Sequence, residues 1–274
     1  MKSRKIKGER LETDQMSDSS SEHLHRYALA SLLAENKIVL DIACGEGYGS
    51  HLMAKKAKHV TGVDLDNVTV QAAAKKYLAH NLEFKQGNVC EIPFGDNVFD
   101  VVVSFETIEH HDKHDEMIRE IKRVLKPSGT CIISTPDKLI YTDKKNFANP
   151  FHVKELYRHE FKDLLSAYFR NVVLLEQRFI SGSMIIPEGV TDLSMNVFEG
   201  DFQSVQENGK IEAEYLIAIA GDELVPKGEF SFFLDNDFGE NKIRQFQESS
   251  RRYKLGNNIL KPWVYFKKNV LGRK

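Results

Sequence analysis

Cysteine is scarce in this chain of 274 residues: Cys44, Cys90 and Cys131 are widely spaced and form no CxxC pair. An odd, scattered set excludes a disulfide framework and fits small core residues in a reducing compartment. Long apolar runs are also missing. No stretch approaches the ~18 apolar residues of a bilayer-spanning helix. The basic start (Lys2, Arg4, Lys5, Lys7) is not followed by the apolar core of a secretory leader, so a cytoplasmic chain is expected. Nor is there an excess of charge of one sign. With 38 Lys and Arg against 40 Asp and Glu, the formal net charge of −2 sets up no field to draw the chain onto nucleic acid. A single tryptophan, Trp263, lies near Tyr265 and Phe266 in a lysine-flanked tail, expected to dock on its own domain or a second subunit, with weak peripheral contact at the inner membrane face as the alternative. What remains, 41% hydrophobic and 28% charged residues, suffices for one large domain with appendages.

The pattern of elements is α/β. A polar arm ends in Ser17-Asp18-Ser19-Ser20-Ser21, and residues 22–34 have helical periodicity through Leu24, Tyr27, Ala28 and Leu32. Apolar runs then alternate with helical stretches. Strands are expected at 37–43, 59–64, 82–86, 98–105 and 130–134, and helices at 48–57, 68–79 and 113–125. Such βαβ units build a doubly wound, mainly parallel sheet. Further on, 152–169 reads as a helix, 171–177 and 214–220 as strands, and 239–257 as a polar helix. Residues 181–210 form an insertion without clear period. Long loops of this kind often carry function. The expected division is 1–35 as arm and covering helix, 36–222 as the α/β domain, and 223–274 as a helical, basic extension.

The first strand runs straight into a glycine-rich turn, Asp41-Ile42-Ala43-Cys44-Gly45-Glu46-Gly47-Tyr48-Gly49-Ser50. In open α/β sheets a nucleotide-like ligand lies beyond the carboxyl ends of the strands. A dinucleotide fingerprint needs G-x-G-x-x-G, but Ser50 holds the third position and Gly49 is out of register. A carboxylate at Asp41 would repel a pyrophosphate and favour a cation, such as the ammonium and sulfonium of S-adenosylmethionine. Asp64 ends the second strand about 20 residues on, placed to accept from both hydroxyls of a ribose. Gly87-Asn88-Val89 suits an adenine edge and face, and Ser104-Phe105-Glu106 ends the fourth strand.

VLDIACGEGYGS, VTGVDLD, FDVVVSFETIEHH and LKPSGTCIISTP, in this order across roughly 36–136, resemble the class I S-adenosylmethionine-dependent methyltransferases. EHLHRYALA and NPFHVKELYRHEF resemble, more narrowly, members that accompany bacterial surface-polysaccharide and glycan biosynthesis. The resemblance implies a Rossmann-like seven-stranded sheet with its last strand antiparallel. It implies that Asp41, Gly45 and Gly47 border the methionine moiety, with Ala43 where many members carry glycine. Asp64 and Leu65 would serve the ribose side, Asn88 and Val89 the adenine, and Phe105 and Glu106 the sulfonium region. The helix over 22–34 would cover the cofactor, with Arg26 for its carboxylate and Tyr27 for packing.

Transfer of a methyl group to a neutral hydroxyl needs a base. His110 and His111 follow the fourth strand, where the family places acceptor-side residues; Glu109 is suited to orient one of them, and His152 is the rival. The patch His110, His111, Asp112, His114 and Asp115 is rich in ligands, but its spacing matches no zinc signature, so no metal is expected. The expected acceptor is a sugar hydroxyl on a lipid-linked or nucleotide-linked saccharide, bound by loops 137–152 and 181–210. A small aromatic or quinone-type metabolite is the alternative. Base-amino methylation is disfavoured because Ser104-Phe105-Glu106-Thr107 replaces N-P-P-Y/F. A scaffold that binds the cofactor without turnover is the third reading, and an oligomer is possible.

Overall fold

The structure, a computed structural model, describes residues 18–180, 198–200, 204–207, 212–226 and 231–233. The expected helix at 239–257, the tail around Trp263, the arm before residue 18 and residues 181–197 of the insertion lie outside the described residues.

Seven strands form one sheet in the order β3-β2-β1-β4-β5-β9-β6. They are β1 (Ile38–Ile42), β2 (His59–Asp64), β3 (Leu82–Gln86), β4 (Phe99–Phe105), β5 (Leu125–Pro136), β6 (Asn171–Gln177) and β9 (Tyr215–Gly221). Strands β1 to β5 pair in parallel, and β9 runs antiparallel between β5 and β6. This is the expected doubly wound sheet with an antiparallel last strand. The short pair β7 (Phe198–Gly200) and β8 (Val205–Glu207) lies inside the insertion.

Helices α1 (Asp18–Leu33), α2 (Tyr48–Ala54), α3 (Asn67–Lys76), α4 (His114–Val124) and α5 (Arg158–Ser166) cover the sheet. Parallel strands are buried on both faces, so alternation sorts their side chains between two cores rather than between core and water. Leu40, Ile42 and Val102 pack with Met117, Ile118 and Ile121 of α4 and with Phe161 and Leu165 of α5. Val39, Val101 and Val103 pack with Tyr27 and Ala30 of α1 and Met53 of α2. Asp41 shares its face of β1 with Val39, beneath α1 and α2.

Several boundaries differ from expectation, with α2 and α3 each ending three residues early. Helix α1 begins at Asp18, so serines expected in the arm are helical, and Ser20 and Ser21 are buried. Residues 152–157 are not helical; α5 starts at Arg158, where the Glu160 carboxylate accepts the Tyr157 N–H at 2.9 Å. The Lys126–Gly129 turn falls within β5 as an irregularity, the register moving from Phe99↔Leu125 to Val101↔Thr130.

The carboxyl ends of β1, β2, β4 and β5 converge on one edge. There the chain adopts left-handed backbone at Ala43 (φ +62°), Gly45 (+54°), Gly47 (+84°) and Glu106 (+48°). Such conformations are disfavoured for side-chain-bearing residues, and in folded proteins they concentrate at functional sites.

Candidate active site

A cavity of about 250 Å³ opens at this edge. Ala43, Cys44, Gly45 and Glu46 of the glycine turn form one wall; Phe105 and Glu106 form the floor at the end of β4. Glu109, His110, Pro136, Tyr141, His152 and Tyr215 close the opposite side, and Glu22, His23 and Tyr27 of α1 lie across the top.

Glycine in the turn is required by close packing. A Cβ on Gly49 would sit 1.9 Å from the Tyr27 ring, and one on Gly47 2.6 Å from the Phe84 ring; at Gly45 nothing lies within 4 Å, which leaves its backbone open to a ligand. Tyr27 meets Phe105 and Tyr48 edge to face, with centroids 5.1 and 5.4 Å apart. Such aromatic contacts fix the position of α1 over the site.

Acids dominate the lining. Glu22, Glu46, Glu106 and Glu109 face the cavity, and no Lys or Arg lines it among the described residues. Burial pushes the Glu22 carboxyl up to about 7, with Glu106 adding to the rise and Arg26 opposing it. Burial and then the neighbouring Glu106 push Glu109 well above the usual carboxylate range. Arg26 is buried behind this wall. It donates from Nε to Gln177 Oε1 at 2.6 Å, lies over the Tyr215 ring at 4.5 Å, and places Nη1 3.4 Å from Glu106 Oε1. Neither Nη has a hydrogen-bond partner among the described residues. Burial and this cation push the His23 imidazole down to about 3, so it is neutral and shares a 2.9 Å hydrogen bond with the Tyr48 hydroxyl. An acidic, low-dielectric chamber with an open glycine backbone suits a ligand that carries positive charge. The residues present therefore fit the sulfonium and ammonium of S-adenosylmethionine.

The imidazoles on the far side are held in defined tautomers. His110 Nδ1 donates to the Phe151 carbonyl at 3.0 Å, which leaves Nε2 as the acceptor atom. His152 Nδ1 donates to Glu155 Oε1 at 2.5 Å, and Asn149 Nδ2 donates to His152 Nε2 at 3.1 Å. The Asn149 amide is oriented by its Oδ1, which accepts from Phe151 N. The two rings meet edge to face with centroids 5.2 Å apart.

Tyr27, Ala43, Gly45, Phe105, Glu106, His110 and His152, all singled out in the sequence, come together around this one cavity. Others do not reach it. Asp41 is fully buried, accepts from Ser50 Oγ at 2.6 Å, lies 3.4 Å from the Tyr27 hydroxyl, and is pushed up to about 7 by burial. It fastens α1 and α2 to β1. Arg26 is likewise placed to hold Glu106 from behind. His111 turns toward α4, with Nε2 3.3 Å from Met117 Sδ and Nδ1 accepting from Lys113 N. Asp64 lies at the neighbouring strand end, where its carboxylate accepts from Gly45 N and Asp66 N at 2.9 and 3.0 Å. Exposed Leu65, Asn88 and half-buried Val89 follow along the same edge, and Gly47 caps α2. Sequence reasoning missed Glu22, His23 and Tyr215; only Glu22 and His23 carried a signal, by sharing the covering helix.

Residues 40–133 match the family model described as a methyltransferase domain. A protein of Mycolicibacterium smegmatis described as a probable S-adenosylmethionine-dependent methyltransferase is 38% identical over 128 residues, covering 46% of this chain and 49% of that protein. A fatty-acid O-methyltransferase of the same organism is 32% identical over 120 residues, covering 40% and 44%. The chain spans about half the length of the curated relatives it matches. An S-adenosylmethionine-dependent methyltransferase structure from Thermotoga maritima superimposes with a TM-score of 0.55 at 18% identity, covering 75% of this chain and 91% of that one. Fold and match agree: residues 40–133 are similar to a methyltransferase domain, and they lie on a doubly wound, Rossmann-like sheet.

Proposed function

We propose that the whole chain transfers a methyl group from S-adenosylmethionine to a hydroxyl of a saccharide, lipid-linked or nucleotide-linked, as part of glycan biosynthesis. The observation that carries this reading is the single cavity, lined at once by the glycine turn, the end of β4 and the Glu109–His110–His152 side. Cofactor and acceptor would thus share one chamber, and positioning two reactants in contact supplies much of such a rate enhancement. The cofactor supplies an electrophilic methyl carbon on positive sulfur. The acceptor oxygen forms the new C–O bond, the C–S electron pair returns to sulfur as a neutral thioether, and the hydroxyl proton leaves toward the imidazole side. Glu22 and Glu106 hold the cation; Tyr27 and Phe105 exclude water; Asp64 and Leu65 take the ribose side and Asn88 and Val89 the adenine. Tyr141, stacked on His152 with centroids 5.6 Å apart, offers a face for a sugar ring. No described helix is long and apolar enough to cross a membrane.

A second reading has its own support. Relatives include a demethylmenaquinone methyltransferase of Listeria monocytogenes, 30% identical over 151 residues that cover 53% of this chain and 56% of that one. A cavity of about 650 Å³ on the other side of α1, lined by Leu29, Leu174, Ile217 and Phe232 among others, offers an apolar wall for a quinone-type acceptor.

Titration calorimetry of the full chain with S-adenosylhomocysteine tests the cofactor. Micromolar binding is expected, and Asp64→Ala should weaken it about 10- to 100-fold, as loss of charge-assisted hydrogen bonds implies. Transfer of labelled methyl to a panel of saccharides and quinones then separates the acceptors. Label on quinones alone sinks the saccharide reading, and binding with no turnover on any acceptor favours a scaffold.

A further inference from the structure

Glu109, His110 and His152 present ligand atoms that all lie within 4.8 Å of one another. We propose that these three side chains bind one divalent transition-metal ion, open toward the cavity. The sequence-based expectation of no metal rested on the run His110 to Asp115. The fold instead disperses that run and brings His152 to the end of β4, 42 residues further along the chain.

The donor set is the first argument. Two imidazoles and one carboxylate suit divalent ions from manganese to zinc, and three protein ligands leave positions for a substrate oxygen. The outer partners are the second. Metal-bound histidines nearly always donate their other ring N–H to a carboxylate or carbonyl. Here His110 donates Nδ1–H to the Phe151 carbonyl, and His152 donates Nδ1–H to Glu155. Glu155 is itself held by Thr142 Oγ1 at 2.6 Å, a complete histidine–carboxylate outer shell. Both Nε2 atoms are thereby kept as lone-pair donors. The third argument is the environment of Glu109. Its side chain is 1% exposed and its bond from Thr135 Oγ1 is a long 3.3 Å, while Glu106 stands three residues before it. Glu106 has Arg26 Nη1 at 3.4 Å, whereas Glu109 lines the cavity with acceptor capacity left for a cation. The fourth is rigidity: the Glu109 carbonyl accepts from Val153 N at 2.8 Å and Lys154 N at 3.1 Å, so the two ligand-bearing loops are joined through their main chains. Occupation requires that Asn149 Nδ2 withdraw from His152 Nε2.

The role of the ion rests on the methyl-transfer reading, whereas its binding does not. Coordination lowers the proton affinity of a hydroxyl. The ion would thus take over from imidazole the task of releasing the acceptor's proton, which passes to solvent with no change in the metal's oxidation state. A vicinal diol of a sugar matches two open positions.

The test uses the untagged full chain, stripped with chelator and titrated with Co²⁺ and Mn²⁺. One ion per chain is expected, with Co²⁺ giving visible absorption bands. Glu155→Gln should weaken binding about 10- to 100-fold, the usual effect of losing an outer partner. His110→Ala and His152→Ala should weaken it further, and His80→Ala, on the exposed surface, should leave it unchanged. Binding of S-adenosylhomocysteine is measured on the same samples and is expected to persist, which certifies the fold of each variant. If a histidine variant unfolds, Glu155→Gln carries the test. No stoichiometric uptake by the natural chain, or uptake indifferent to these changes, overturns the site. Metal uptake without cofactor binding would instead support the site and overturn the methyltransferase reading.

Discussion

Gly49 stands where α2 passes under α1, and the Tyr27 ring occupies the space a methyl group would need. Gly49→Ala should therefore destabilise the chain by about 1–3 kcal/mol, the usual effect of overpacking a filled core. A fall in the urea midpoint and weaker cofactor binding, as Tyr27 is pushed from the cavity roof, would be the readouts; an unchanged midpoint would contradict the packing. At this scale the sequence was partly legible. The glycine turn announced itself, and Ala43 at φ +62° shows why glycine is favoured at its position. The bonding of Asp41 to Ser50 and Tyr27 was not legible, because both faces of a parallel strand are buried and hydrophobic alternation does not reveal which face its carboxylate shares. His110 and His111 are adjacent, and the short helical turn Ile108–His110 alone decides that one faces the cavity and the other α4.

Helix α1 is fastened to the far edge of the sheet by one residue of β6. Gln177 accepts from Arg26 Nε at 2.6 Å and donates from Nε2 to the Glu22 carbonyl at 2.9 Å. Both bonds are buried, where loss of a partner strands polar groups without water. Gln177→Ala should raise amide hydrogen exchange across α1 while leaving β1 and β4 protected; uniform exchange across all three would show that the latch is not local. Element existence was readable from periodicity, and β2, β3 and β6 fall at the expected residues. The start of α5 was not. The polar spacing of Asn149, His152 and Glu155 imitates a helical face, yet these side chains bond one another within a loop.

Across the whole molecule, buried acids set the response to pH. Asp41 and Glu22 both rise to about 7 in the folded chain, and Glu109 rises as well, chiefly through burial. A folded-state value above the unfolded one means that the native chain binds more protons in between, so stability is fully present below pH ~4 and declines up to pH ~7. Urea midpoints should therefore fall from pH 5 to pH 8. Asp41→Asn, which keeps an acceptor for Ser50 and Tyr27, should flatten part of that decline; an identical slope in both proteins would show that Asp41 is not protonated in the fold. The doubly wound sheet was legible at this scale, because alternating strands and helices admit few topologies, whereas its antiparallel last strand was expected from the family resemblance. The assembly of the acceptor side was not, since it depends on a contact between loops about forty residues apart.

The two main-chain hydrogen bonds on the Glu109 carbonyl have an evolutionary corollary. Backbone amides are present whatever side chain a residue carries, so the seam between these loops persists while the chamber's lining is exchanged by mutation. Descendants of such a scaffold can adopt new acceptors by small, separate steps, each one arising in a chain that already folds.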